Sequence, residues 1–227
     1  MFKPSQINMG HDEVDALGRC PKCAGKAPHE LFAQDVVKIH DFLGAKGIRM
    51  QIHGDMLLNP ENIPDKYFPG YFKGGAPMHI HKALDLLPKD VVMADWHYDR
   101  NERYPVQPVY PSVDIFKKHG LEVLGYASWY RESNVYSFSQ YMWKNGFRRM
   151  VVSTWCPVSL CLPKKGGDGM PRLKYVPQAL KGIEMGAEYF WSLDGVARVN
   201  RDEHPANPVY WDELEYTIKD EGEEFEM

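Results

Sequence analysis

Asp90-Val91-Val92-Met93-Ala94-Asp95-Trp96-His97-Tyr98-Asp99 is a short apolar run that stops abruptly in acids, imidazole and aromatic rings. A strand buried on both faces is written as such a run, and in a parallel sheet its C-terminal end opens into a loop able to carry polar side chains. The same pattern recurs on either side. Upstream, Gln6-Ile7-Asn8-Met9-Gly10 leads into His11-Asp12-Glu13, and Ile48-Arg49-Met50-Gln51-Ile52 leads into His53-Gly54-Asp55. Downstream, the run from Leu121 to Tyr126 leads into Ser128-Trp129-Tyr130, and the run from Arg149 to Ser153 into Thr154-Trp155.

Helical periodicity fills the gaps between these runs. Phe32, Val36, Ile39 and Leu43 step by four, three and four along one apolar face, with Gly44 and Gly47 at its end. A short helix is expected around Ile80 to Leu87. Ser112 reads as the N-cap of a helix from Val113 to His119 closed by Gly120, and another helix runs from about Tyr136 to Lys144. Val176, Leu180, Ile183, Ala187 and Phe190 form the last apolar stripe. Five β-runs, each followed by a helix, predict a parallel α/β sheet, because parallel neighbours need crossover connections. A doubly wound sheet gathers its ligand at one crevice, whereas a (β/α)8 TIM-type barrel uses every strand end. Decoration at all five ends predicts the barrel.

The chain has 227 residues, 44% hydrophobic, 13% aromatic and 26% charged, with a formal net charge of −4. That composition is globular and gives a nucleic-acid partner no electrostatic support. No apolar run reaches the roughly 18 residues that cross a bilayer, so no membrane partner is expected. Four cysteines are too few for a disulfide scaffold. Cys20-Pro21-Lys22-Cys23 reads as a stabilised turn, with Cys156 and Cys161 as ordinary thiols and no cofactor implied. Residues 1–195 form the expected catalytic domain, and 196–227 a C-terminal extension ending in the acidic tail Asp220 to Met227.

Gly10-His11-Asp12-Glu13 is the most informative string for chemistry. An acid held among aromatic rings keeps its proton towards neutral pH and can donate it, while an ionised neighbour orients or stabilises a developing cation. Trp96, Tyr98, Trp129, Tyr130 and Trp155 recur at the ends of the later runs. Flat aromatic faces stack on the C–H faces of pyranose rings, and carboxylates address sugar hydroxyls or amides. The expected partner is therefore a carbohydrate.

Met9-Gly10-His11-Asp12-Glu13-Val14, followed by the Cys20/Cys23 pair, resembles the His-x-Gly-Gly-Asp-Glu region of family 20 glycoside hydrolases, the β-N-acetylhexosaminidases. Ile52-His53-Gly54-Asp55-Met56 is similar to the following strand of that fold. The Trp96, Trp129 and Trp155 strings are similar to its last three strands. The resemblance implies substrate-assisted hydrolysis of a terminal β-linked N-acetylhexosamine. On it, Glu13 would be the acid/base, Asp12 would orient the acetamido group, and Trp96 and Trp155 would wall the sugar. Tyr130 or Tyr98 would donate to the acetamido carbonyl, and His11, His53, Asp55 and Trp129 would complete the substrate site.

The string also departs from the family. His11 replaces a glycine, His53 stands where tryptophan is usual, and Cys156-Pro157 follows Trp155 in place of a Trp-x-Glu acid. If Asp12-Glu13 closes the fourth strand, the chain carries about strands four to eight, a partial barrel whose first three strands lie upstream or come from another chain. Such a piece is expected to be weakly active or inactive, and its two unpaired sheet edges predict self-association. Two rival readings stand beside the hydrolase. One is a metal-dependent barrel enzyme using His11, His53, Asp55 and His97; the other is a non-catalytic sugar-binding remnant.

Overall fold

The computed structural model describes residues 3–62, 71–98, 110–128, 132–153, 182–187 and 189–190. Its centre is an all-parallel sheet of five strands: β1 (Gln6–Asn8), β2 (Arg49–His53), β3 (Val92–Asp95), β4 (Glu122–Ser128) and β5 (Met150–Ser153). The strands hydrogen-bond strictly in chain order, β1-β2-β3-β4-β5, with registers such as Asn8 on Gln51, His53 on Ala94 and Asp95 on Gly125. Within this sheet the order never reverses, so it contains no switch point of the doubly wound kind.

The sheet is curled. Strands about 4.8 Å apart would place β1 and β4 about 14 Å from one another in a flat sheet. Yet Asn8 Nδ2 of β1 lies 3.4 Å from Tyr126 Oη of β4. At the other end of the strands, Arg149 donates to the Gln6 side chain, joining the residue before β5 to the first residue of β1. Side chains meet this way only across a concave face.

Alternation divides the strands between two environments. On the convex side, Met50 and Ile52 of β2, Met93 of β3, and Val123 and Ala127 of β4 join the main apolar core. Helices α1 (Pro28–Gly44), α2 (Pro111–Lys118) and α3 (Glu132–Lys144) cover them. Phe32, Val36 and Leu43 of α1 are buried as the periodicity predicts, and α2 contributes Val113 and Phe116, α3 Val135, Phe138 and Met142. Each such side chain stabilises the fold by about 1.5–3 kcal/mol. On the concave side the polar Gln6, Asn8, Arg49, Gln51, His53, Glu122 and Tyr126 make hydrogen bonds across the bowl and share the face with the apolar Val92, Ala94 and Leu124 of β3 and β4.

Three local expectations are corrected. The Ile80–Leu86 segment winds as a 3-10 helix. Ser112 does not cap α2; the N-cap is Tyr110, and Ser112 sits in the first turn, fully buried, with its hydroxyl 2.9 Å from His97 Nδ1. In the helical stretch 182–187 the inward residues include Met185, while Ile183 is half exposed and Ala187 exposed. The stripe predicted through Ile183 and Ala187 therefore faces outward. Strands β1 and β5 each have one strand neighbour among the described residues. Residues Trp129, Tyr130, Thr154, Trp155, Cys156 and Cys161, and the extension 196–227, lie outside the described residues.

Candidate functional site

β1 is short because its register ends at Asn8, whose side-chain oxygen accepts the Gly10 N–H at 2.8 Å and turns the chain. Gly10, His11 and Glu13 then take φ angles of +73°, +74° and +50°. Only three non-glycine residues among those described have positive φ, and two of them flank Asp12. A left-handed conformation costs a residue with a Cβ about 1–2 kcal/mol, so something must hold it. For His11 the hold is twofold: Nδ1 lies 3.1 Å from the Met9 carbonyl oxygen, and Nε2 lies 3.1 Å from Asp35 on α1, with the ring edge-on to Phe32. The His11 side chain therefore packs towards α1 and anchors the loop.

For Glu13 the hold is Asp55. Its Oδ2 accepts the Glu13 N–H at 2.9 Å, while the Asp55 backbone carbonyl accepts the Lys73 N–H at 3.0 Å. Lys73 Nζ in turn lies 2.6 Å from Glu13 Oε1 and 6.0 Å from the Trp96 ring centroid. A closed circuit results: one buried aspartate grips the backbones of two residues whose side chains pair with each other. Gly74 continues this fixed path, since a Cβ there would lie 2.2 Å from the Met56 carbonyl oxygen. Asp12 and Glu13 are both exposed at the rim. Glu13 reaches Trp96 through Lys73, and the charge of Asp12 acts on both His53 and Asp55.

Beneath the rim lie groups with few partners. Asp55 is fully buried, and burial pushes its carboxyl from 3.8 up to about 7; the nearby charges of Asp12 and Glu13 add to the rise against the Glu13 N–H bond. The acid kept protonated by its surroundings is expected in the Asp12-Glu13 pair; the raised carboxyl is that of Asp55 instead, and Glu13 is half exposed and paired with a lysine. Asp95, also fully buried, is likewise raised by desolvation, and the Tyr71 hydroxyl, near both carboxyls, is held well above its ordinary value by burial and their charge. His53 is lowered by burial, which favours the neutral ring; Asn8 Nδ2 approaches its Nε2 at 3.4 Å. Asp55 Oδ1 and Trp96 Nε1 are buried without a hydrogen-bond partner among the described residues, while the Tyr71 hydroxyl and Ser112 both bond to the Asp95 carboxyl. Perturbed titratable groups and unsatisfied polar atoms gathered at one end of a sheet mark a candidate site.

Trp96 stands edge-on to Tyr71 at 4.6 Å and tilted against Tyr98 at 5.6 Å, so two of the predicted aromatics share the rim. His97 does not join them. It is fully buried, stacked on Tyr71, bonded to Ser112, and its backbone carbonyl accepts a hydrogen bond from Asn134. The four residues of the metal-dependent reading are accordingly spread over different surroundings: His11 against α1, His97 in the convex core, and His53 and Asp55 near the rim. Among the described residues no three His, Cys, Asp or Glu side chains converge as a metal site. Cys20 and Cys23 are free thiols in a tight turn, Sγ to Sγ 3.1 Å.

Sequence reasoning missed Asn8, Gln51, Tyr126, Tyr71, Lys73 and Asp95 as members of the site. Alternation offered a signal for Gln51 and Tyr126, since Arg49-x-Gln51-x-His53 and Glu122-x-Leu124-x-Tyr126 both place polar groups on one face of a strand whose other face is apolar. Nothing in the Pro- and Gly-rich stretch around Tyr71 and Lys73 marked them. No protein-family model and no curated protein matches the chain.

Proposed function

We propose that this chain is the strand-four-to-eight portion of a (β/α)8 glycoside hydrolase that removes terminal β-linked N-acetylhexosamine by substrate-assisted catalysis. The observation that carries the reading is the placing of Asp12 and Glu13 on a strained loop at the C-terminal end of β1, with Trp96 at the same rim. A sequential, curled, parallel sheet with its titratable groups at the C-terminal edge supports the barrel assignment. In the proposed reaction the acetamido oxygen of the substrate attacks the anomeric carbon as the bond to the leaving oxygen breaks. Glu13 gives its proton to that oxygen, and the leaving group departs. Asp12 accepts the acetamido N–H and balances the positive charge of the oxazolinium. Water then attacks the anomeric carbon as its bond to the acetamido oxygen breaks, which restores the acetamido group; Glu13 takes the water's proton, and the sugar leaves with its configuration retained.

Lys73 Nζ lies 2.6 Å from Glu13 Oε1 and holds that side chain at the rim; in the proposed reaction the pair opens and Glu13 takes a proton from solvent before it protonates the leaving oxygen. The test is hydrolysis of a chromogenic β-N-acetylglucosaminide by the complete barrel that contains this chain and by its Glu13→Gln variant. Loss of a general acid is expected to lower the rate by about 10²–10⁴-fold. Equal rates in the two proteins refute the assignment. Sugar binding by the parent without hydrolysis favours the sugar-binding remnant instead.

A further inference from the structure

We infer that Asp55 is a positioning residue for Glu13: its carboxylate fixes the backbone from which the Glu13 side chain departs, and its backbone carbonyl fixes Lys73, the cation paired with that side chain. Its bearing on catalysis rests on the proposed hydrolase reading, but the positioning itself does not.

Glu13 has a left-handed backbone, and its side chain is half exposed and paired with Lys73. The bond from its N–H to Asp55 is therefore the main contact that can hold this conformation. A charge-assisted bond from a backbone amide to a carboxylate is stronger than a neutral one, and it compensates the strain. The groups around Asp55 come from every neighbouring element. Asp12 and Glu13 face it from the β1 loop, Tyr71 and Lys73 from the loop that covers the rim, His53 from its own strand, and Asp95 lies beyond Tyr71 at the end of β3. Of these only Lys73 brings a fixed positive charge, and Lys73 is committed to Glu13. Among the described residues Asp55 thus has no cation of its own, and its carboxyl is pushed up to about 7, where an ordinary aspartate would stay ionised. Its strength as an acceptor, and with it the hold on Glu13, changes within the working range of pH.

The backbone amide of Glu13 reads this directly. In 1H–15N spectra of the full chain taken from about pH 5 to about pH 9, the Glu13 amide of the parent is expected to shift with a midpoint near 7, because its acceptor is titrating. In Asp55→Asn that step disappears, and in Asp55→Ala the amide exchanges with solvent at least about tenfold faster. The Lys73 amide, bonded to the backbone of residue 55, keeps its protection in both variants and reports that the fold is intact. If the alanine variant fails to fold, the near-isosteric asparagine variant alone decides. A Glu13 amide that ignores pH in the parent, or that still titrates in Asp55→Asn, overturns the assignment.

The kinetic counterpart is a fall in kcat of about a hundredfold in Asp55→Asn with KM little changed, together with loss of a limb near pH 7 from the pH profile. A simple structural weakening would lower the amount of folded enzyme without moving that limb. Should the complete barrel hydrolyse no N-acetylhexosaminide, the proposed function fails while the amide experiment still decides the role of Asp55.

Discussion

At the N-terminal end of the sheet, Glu122 stands between two guanidinium groups, Arg49 at 2.8 Å and Arg149 at 2.6 Å; at the C-terminal end, Asp55 is fully buried, with backbone N–H groups on its carboxylate but no cation among the described residues. Burial pushes both acids the same way. At Glu122 the two arginines outweigh it, and the carboxyl ends below its ordinary range; at Asp55 nothing does, and the carboxyl rises to about 7. The same curled sheet therefore carries one end whose charges are mutually satisfied and another whose buried acids have no neutralising cation among the described residues. Satisfied charge contributes to stability, while unsatisfied polar groups are kept only where surrounding packing holds them, and such places are where ligands are handled.

The largest effect expected from this contrast is a pH dependence of opposite sign at the two ends. A folded-state value raised from 3.8 to about 7 means that Asp55 stabilises the fold fully below 3.8 and that the contribution is lost as pH rises through 7. Three units correspond to on the order of 4 kcal/mol. Asp55→Asn removes the titration, so urea unfolding of parent and variant should give similar stabilities near pH 4, with the variant gaining on the parent up to about pH 8. His53, lowered by burial, tilts the parent's own curve the other way between these limits, which is why the difference between the two proteins is the quantity to measure. A difference that stays constant with pH breaks the contrast.

A second effect concerns how the rim is brought so close to the core. Gly54, between His53 and Asp55, has room for no side chain: a Cβ would lie 2.4 Å from Phe116 Cζ of α2. Gly54→Ala is expected to destabilise by about 1–3 kcal/mol through overpacking. Combining it with Phe116→Leu should recover part of that cost in a double-mutant cycle. Strict additivity would mean that the two groups do not compete for the same space.

The difference between the ends also explains what the sequence disclosed. The strands and their parallel order were legible because convex residues such as Met50, Ile52, Met93 and Val123 must be apolar wherever helices cover them. Asp12, Glu13 and Trp96 were legible because they follow directly on such runs. Lys73 and Tyr71 were not, since their place depends on a loop that returns over the rim, held by Asp55 and by the close approach at Gly74, and no periodicity encodes a loop path. His11 and His97 were assigned to the site because a residue beside a strand end can point either way. Asp35 and Ser112, 24 and 15 positions distant in sequence, decided that both point away from the rim. Ser112 itself illustrates the limit of local rules, because a hydroxyl suited to capping a helix is drawn instead to a buried imidazole.

The smallest effect belongs to the satisfied end. Glu122 keeps about a third of its side chain exposed, so its two ion pairs are screened by solvent and contribute below about 1 kcal/mol. Its lowered carboxyl places that contribution above the ordinary glutamate range, to be lost as pH falls through the folded value, the reverse of Asp55. Glu122→Gln should therefore weaken the protein slightly at neutral pH, and the loss should shrink in about 1 M salt, where the screening length falls to about 3 Å and partly exposed pairs are weakened. The Glu13 amide and the hydrolysis rate should not move, because Arg49 and Arg149 lie at the opposite end of their strands from the rim. A loss independent of salt, or as large as the change at Asp55, would mean that the N-terminal charges are buried in effect and that the two ends differ in degree only.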